Sequence, residues 1–489
     1  MSIAQFGFGV AVFGGLNYRE KIQRLAKNTT SLLWVGLFIL FMLGGLHSED
    51  SIYFWRDIRM KMPLWVFPVA IGSMPALSRI KFSFVLHAFL IGLYIHIALG
   101  LNVIIGQRET GFSYRDLSPM VSHIRMGLFL VTGIIIQTFL LFKQNKDMQF
   151  FNKWMYLLGI LVFIGWLFVI KSLTALLVLL IIALIAGFYF AGQLRNRIKA
   201  RILMTICWLP ILLSIGTISF YSFKFFDRED PVFSEAPEYT KEGCLYESLR
   251  DQGFYENGHY VYDKFCTGEL AREWEKRSQV SYFENGLRVH YTLLRYMTSK
   301  NYPKDAEGMA MMSDEDIRNV ERGIPNYVYT NLFGIQGRIY ETLWELEIWW
   351  SSGDAQGKSL ATRFELWKSA YKIVRENPLA GVGTGDVRVA MQQAVYSDPN
   401  PIRYDKSYGA HNQFLTTAVA IGVYGMLWLF ICVVYPLTQK IKYNPLLLFF
   451  IILTFCSMLN EDVFETQAAV TFVSFFFHIF NRPIYSKSN

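Results

Sequence analysis

The sequence predicts an all-α, polytopic membrane protein carrying one large, mainly helical domain outside the membrane. Three observations lead there. Of 489 residues, 53% are hydrophobic and 16% aromatic, and the mean hydropathy is +0.26, too apolar for an ordinary soluble enzyme. The apolar residues recur in blocks, as membrane-crossing helices require. Charge also sorts by side. The loops 17–30, 77–83, 143–153, 193–201, 435–444 and 482–489 hold seventeen Lys/Arg against two acids, Glu20 and Asp147, whereas 223–412 holds twenty-three Lys/Arg against twenty-nine Asp/Glu. Basic loops stay cytoplasmic, so the long segment is expected outside. The net charge of +8 thus reports topology, and no basic soluble face points to nucleic acid.

Spans are predicted at 3–16, 31–46, 63–76, 84–105, 125–142, 154–170, 173–192, 202–221, 413–434, 445–460 and 467–481. Several fall short of the ~20 residues a crossing helix uses, so their ends extend into flanking polar residues. The first is weak, and an eleven-span count puts the N-terminus outside. Three regions follow: N-terminal membrane helices at 1–222, a loop domain at 223–412 and C-terminal membrane helices at 413–489. The first apolar stretch lacks a small-residue cleavage site and is not read as a signal peptide. Cys207, Cys432 and Cys456 lie in spans; Cys244 and Cys266 lie in the outer segment, where either a disulfide or two free thiols fits the sequence.

Along the N-terminal region, HSEDSIYFWRDIRMK from His47 mixes acids, bases and aromatics as a headgroup-level anchor does. Arg125 sits at the edge of a span, two residues after His123. A charge at that depth snorkels or pairs. Lys171 occupies a tight turn, IKSLTALL, between two spans. In the outer segment, Ser313 with Asp316 forms a near-capping box opening a helix that Gly323 can close. AREWEKRSQ and LRVHYTLLRYM are also predicted helical, with Tyr291 and Arg295 one turn apart. The aromatics there, Trp344, Trp349 and Trp350 included, are expected mainly to build that domain's own core.

The chain is organised around 363–425. Leu360, Phe364, Trp367, Tyr371 and Val374 recur at helical spacing, and Asn377-Pro378 ends that helix. Gly381, Gly383 and Gly385 give a loop whose N–H groups are expected to wrap an anion. His411 and Asn412 then open the apolar run from Phe414, where unpaired N–H groups and a positive dipole end lie.

ENPLAGVGTGD, then HNQFLTTAVAIGVYG, then NEDVFETQAAVTFVSFFF from Asn460 together resemble the lipopolysaccharide O-antigen ligase and O-antigen polymerase family. The resemblance covers the whole chain in layout and is motif-specific over about 120 C-terminal residues. It implies the C-type glycosyltransferase architecture, about twelve spans, a bacterial inner-membrane location and a periplasmic loop. One span is then missing, or the start lies upstream. Family members often carry Ser-Arg in the turn where this chain has Lys171-Ser172-Leu173, so Lys171, Arg125 or neither takes that charge.

The implied reaction moves a glycan from a polyprenyl-diphosphate carrier to a sugar hydroxyl of lipid A-core. Charge grows on the leaving diphosphate, so guanidinium groups are the useful parts. Arg363 and His411 are the expected catalytic residues. Arg125, Lys171, Gly383 and Gly385 are expected at the diphosphate, with Asn412 and Glu461 supporting. His411 is either a general base or a hydrogen-bond donor to diphosphate. No D-x-D-like pair stands beside the glycine turn and no His/Cys cluster has metal spacing, so a metal-independent, inverting transferase without cofactor is expected. Polymerisation of lipid-linked repeats, or transfer to protein, uses the same parts. A transporter would place ionisable groups near the bilayer midplane, and here they crowd the outer edge.

Overall fold

The computed structural model describes residues 17–106, 115–142, 153–194, 196–229, 238–249, 253–331, 335–398, 401–402, 409–439 and 445–482. The predicted span 3–16 lies outside them. The expected all-α class is found, and six described helices are long and apolar enough to cross a membrane. In chain order the first region gives α1 (Tyr18–Ala26), α2 (Thr29–Leu43), α3 (Ser51–Lys61), α4 (Pro63–Ser73), α5 (Arg79–Gly106), α6 (His123–Phe142), α7 (Lys153–Val169), α8 (Leu173–Ala191) and α9 (Arg197–Phe226). Apolar runs set these helices and polar punctuation ends them. Asn28 caps α2 by accepting from the Ser31 amide, and Asp50 caps α3 by accepting from the Tyr53 amide.

The chain divides into two compact units, and 208–347 forms the bulk of the second. The described residues from Ile348 to Asp398 group with the membrane helices of the first unit. In the second unit β1 (Tyr255–Glu256) and β2 (His259–Tyr260) make a short antiparallel pair beside α10 (Thr267–Glu275), α11 (Glu284–Ser299), α12 (Ala306–Met311) and α13 (Asp314–Glu321); α14 (Ile335–Ser352) follows. The Ser313/Asp316 capping box forms with both reciprocal bonds, and Gly323 closes the helix at φ +76°. Trp274, Tyr282, Tyr296 and Phe265 build the unit's core, as expected of its aromatics; Trp350 is exposed. Cys244 and Cys266 are joined by a disulfide.

The remaining helices belong to the first unit: α15 (Ser359–Glu376), α16 (Val387–Tyr396), α17 (Gln413–Val434), α18 (Pro445–Asn460) and α19 (Gln467–Phe480). Asn377 terminates α15, where the sequence placed the stop. Trp34 of α2 is fully buried against Phe464, Phe477 and His478, and Phe89, Phe129, Phe450, Phe472 and Phe476 interlock α5, α6, α18 and α19.

α17 is not continuous. Ile421 and Gly422 leave helical geometry, and Gly422 sits at φ 74°, ψ 179°, a conformation essentially reserved for glycine. A Cβ there would lie 2.0 Å from the Leu379 carbonyl oxygen. The carbonyls released at the break are used at once: Val382 and Gly383 donate their N–H groups to Val419 and Ala420, and Val423 donates to Pro378. The PLAGVG loop is therefore wedged into a broken apolar helix, satisfying backbone groups that lipid could not.

Candidate active site

Several helix ends of the first unit converge on the turn from Asn460 to Glu465. Asn460 donates through Nδ2 to Thr174 at the start of α8 (2.9 Å). Gly127 of α6 lies so close to Ser172 that a Cβ would meet its hydroxyl at 2.5 Å, which keeps the Arg125 and Lys171 ends of α6 and α8 together. Arg125 lies within electrostatic reach of both Glu461 and Asp462.

Arg363, in the first turns of α15, is buried, and its charge is met by Glu461: Nη2 to Oε1 is 2.7 Å. Its Nη1 donates to the Ser359 hydroxyl at 2.8 Å, and Nε has no acceptor among the described residues. The other Glu461 oxygen faces His411, with Nδ1 to Oε2 3.8 Å. Burial alone would raise the Glu461 carboxyl, but the imidazole and the guanidinium outweigh it and hold it below the usual range. Glu461 is thus an anion joining the two predicted catalytic residues.

His411 is backbone-strained. It sits at φ +49°, in the left-handed region that histidine tolerates better than most residues. Asp462 holds it there: Oδ2 accepts the His411 N–H at 2.8 Å, and Oδ1 accepts from the Asn412 N–H (3.2 Å) and the Thr416 hydroxyl (2.6 Å). Burial pushes the Asp462 carboxyl up to about 6, against the pull of His411 and Thr416. Asn412 caps α17, its Oδ1 accepting from the Phe414 and Leu415 amides, and its Nδ2 donates to the Leu459 carbonyl (3.1 Å). Gln413 is fully buried and accepts the Phe464 N–H at 2.6 Å. The His411 and Asn412 N–H groups, at the helix start where unpaired N–H groups were expected, are therefore bonded to a carboxylate.

The structure brings together Arg363, His411, Asn412 and Glu461, with Arg125 and Lys171 at adjoining helix ends. The expectation for the glycines is corrected. The Gly383 N–H is bonded to the Ala420 carbonyl and the Gly385 N–H to the Ser48 hydroxyl (2.9 Å), so neither is presented to an anion. The anchor reading of His47–Lys61 is also incomplete: α3 exposes Ile52, Trp55, Arg56 and Arg59 but buries Phe54, Asp57, Ile58 and Lys61. Asp462 was missed by reasoning from sequence. Its signal was an acid next to Glu461 at the end of an apolar helix, together with a His-Asn pair needing an acceptor.

A multi-pass helical membrane protein with an Arg–Glu–His–Asp cluster, buried at Arg363 and Asp462 and half-buried at Glu461 and His411, at the ends of its spans is the class that fold and site define. Residues 322–430 match the family model described as O-antigen ligase, a segment that holds Arg363, the glycine turn and His411-Asn412. The match bears out the resemblance drawn from the motifs, and in general terms it is that of a ligase- or polymerase-like membrane glycosyltransferase. No curated protein matches the chain.

Proposed function

We propose that the protein transfers a glycan from a polyprenyl-diphosphate carrier to a sugar hydroxyl of lipid A-core at the outer face of the bacterial inner membrane, without a metal or other cofactor and with inversion. The observation that carries the reading is the single carboxylate, Glu461, bonded to Arg363 and facing His411. An ionised carboxylate beside Nδ1 favours the tautomer protonated there and leaves Nε2 to take the acceptor hydroxyl's proton. As the hydroxyl oxygen bonds the anomeric carbon, the bond to the diphosphate oxygen breaks, and the leaving diphosphate carries the electron pair. Arg363, with Arg125 and Lys171 at the neighbouring helix ends, supplies positive charge for that leaving group.

The outer location is supported by the acidic balance of 223–412 and by the Cys244–Cys266 disulfide, a bond that persists in oxidising compartments. Cysteine labelling in intact cells tests it: a cysteine near Lys300 is expected to be labelled and one near Arg197 protected. The reversed pattern inverts the topology. Deleting the gene and separating the cell's glycolipids tests the acceptor. Full-length chains stranded on the lipid carrier are expected; caps of a single repeat on lipid A-core instead identify a polymerase.

A further inference from the structure

The turn that supplies Glu461 and Asp462 has a third carboxylate, Glu465, within electrostatic reach of Asp462 but bonded elsewhere. It reaches the other way. Lys61, at the end of α3 and only 2% exposed, lies between Asp57 Oδ1 (2.6 Å) and Glu465 Oε1 (2.7 Å), with the Phe41 ring 5.1 Å from its Nζ. Asp57 is one turn earlier on the same helix and equally buried. Burial works against the charged ammonium, but the two carboxylates outweigh it and keep it protonated. Removing three ionisable groups from solvent is unfavourable unless their geometry is well satisfied, and a plain core would serve stability as well.

The position of the cluster gives it a use. Between Asn460 and Glu465 the chain is fixed by Thr174, Arg363, the His411 and Asn412 amides, Gln413 and Lys61 in turn. Lys61 is the anchor furthest from the site along the turn, and α3 presents it already paired with Asp57. The turn has only a single 3₁₀ segment, Val463–Glu465, to hold its own shape. We propose that Lys61 is a positioning residue: with Asp57 it clamps Glu465, and so sets where Glu461 and Asp462 stand beneath Arg363 and His411. The consequence for transfer rests on the proposed function; the consequence for the turn does not.

Glu465→Gln is the variant of choice, because it leaves Lys61 paired with Asp57 and buries no unmatched charge. Hydrogen exchange of the full-length protein in detergent reads the turn directly, through the Ala410, His411 and Asn412 amides, which donate to side chains of Thr416 and Asp462. Exchange of the peptide covering 409–416 is expected to quicken about tenfold, with peptides of α5 and α6 unchanged. Exchange equal to wild type overturns the proposal whatever the protein catalyses. In a transfer assay the same variant should lower kcat by about tenfold and leave KM within about twofold, the mark of lost alignment at the reacting atoms. The triple variant Asp57→Asn/Lys61→Met/Glu465→Gln separates alignment from folding. A melting temperature at or above wild type with the same fall in kcat supports positioning; wild-type kcat in that variant overturns it.

Discussion

Two buried arginine–glutamate pairs, one in each unit, show what distinguishes this site. In the second unit Arg295 bonds Glu256 through Nε at 2.6 Å and lies 4.5 Å above the Trp344 ring, and the second Glu256 oxygen accepts from Asn326 at 2.7 Å. There the Arg295 Nε and both Glu256 oxygens have internal partners. In the first unit Arg363 bonds Glu461 but leaves Nε without an acceptor among the described residues, and the second Glu461 oxygen looks to a strained histidine. A closed network holds a fold together. An open one keeps charge and hydrogen-bonding capacity for a ligand, and on that difference rests the proposal that the same residue pair serves structure in one place and chemistry in another.

The largest effect expected from testing that contrast is at His411. His411→Ala should lower transfer by about 10²–10⁴-fold, the usual contribution of a general base. Because the backbone is left-handed here, His411→Asn is the fairer control, since asparagine also tolerates φ above zero. His411→Gln keeps a donor but cannot take a proton. Activity retained by Gln and lost in Ala would make His411 a binder of diphosphate. Arg363→Lys comes next, with a loss of about 10²-fold at normal protein levels, because the point charge cannot serve Glu461 and a phosphate oxygen in one plane. A fully active lysine variant would put Arg363 in the same structural class as Arg295.

A smaller effect, sharper in form, is expected from Asp462. Its carboxyl titrates at about 6 against an ordinary 3.8, so the native state binds that proton more readily than the unfolded chain. As pH falls from about 6 toward 4, this group therefore adds native stability while it loses the acceptor oxygen that holds the His411 amide. Transfer rate and melting temperature should move in opposite directions over that window, and Asp462→Asn should remove both slopes. An acid fall in rate that persists in Asp462→Asn belongs to another group. The smallest effect on chemistry is expected from Arg295→Ala. It strands Glu256 in the core and should cost the second unit about 3–5 kcal/mol by thermal melting. Protein that remains folded should still transfer glycan.

Most of the helices were legible in the sequence because apolar runs, Asn377-Pro378 and the Ser313 box are local signals that tertiary packing did not need to override. That Arg363 and His411 lie near one another was legible from motif order. The break in α17 was not: a glycine in IGVYG reads as an ordinary small residue of an apolar helix, and only the approach of the Leu379 carbonyl shows why no side chain fits at Gly422. The glycine turn was read as an anion cradle for the same reason. Flexible N–H groups are visible in a sequence, but the carbonyls that occupy them, 37 residues on at Val419 and Ala420, are not. Lys61 and Glu465 stand 404 positions apart, and each looks like an interfacial charge until they are seen 2.7 Å from one another.

A reconstituted reaction puts the proposed glycan transfer by the Glu461-linked Arg363 and His411 to the test. The purified full-length protein in liposomes would be given an O-antigen chain on polyprenyl diphosphate and a lipid A-core acceptor, and both the glycolipid and the released carrier diphosphate measured. Equal amounts of the two are expected from the wild type and neither from His411→Ala. Wild-type turnover by a folded His411→Ala would overturn the proposed transfer.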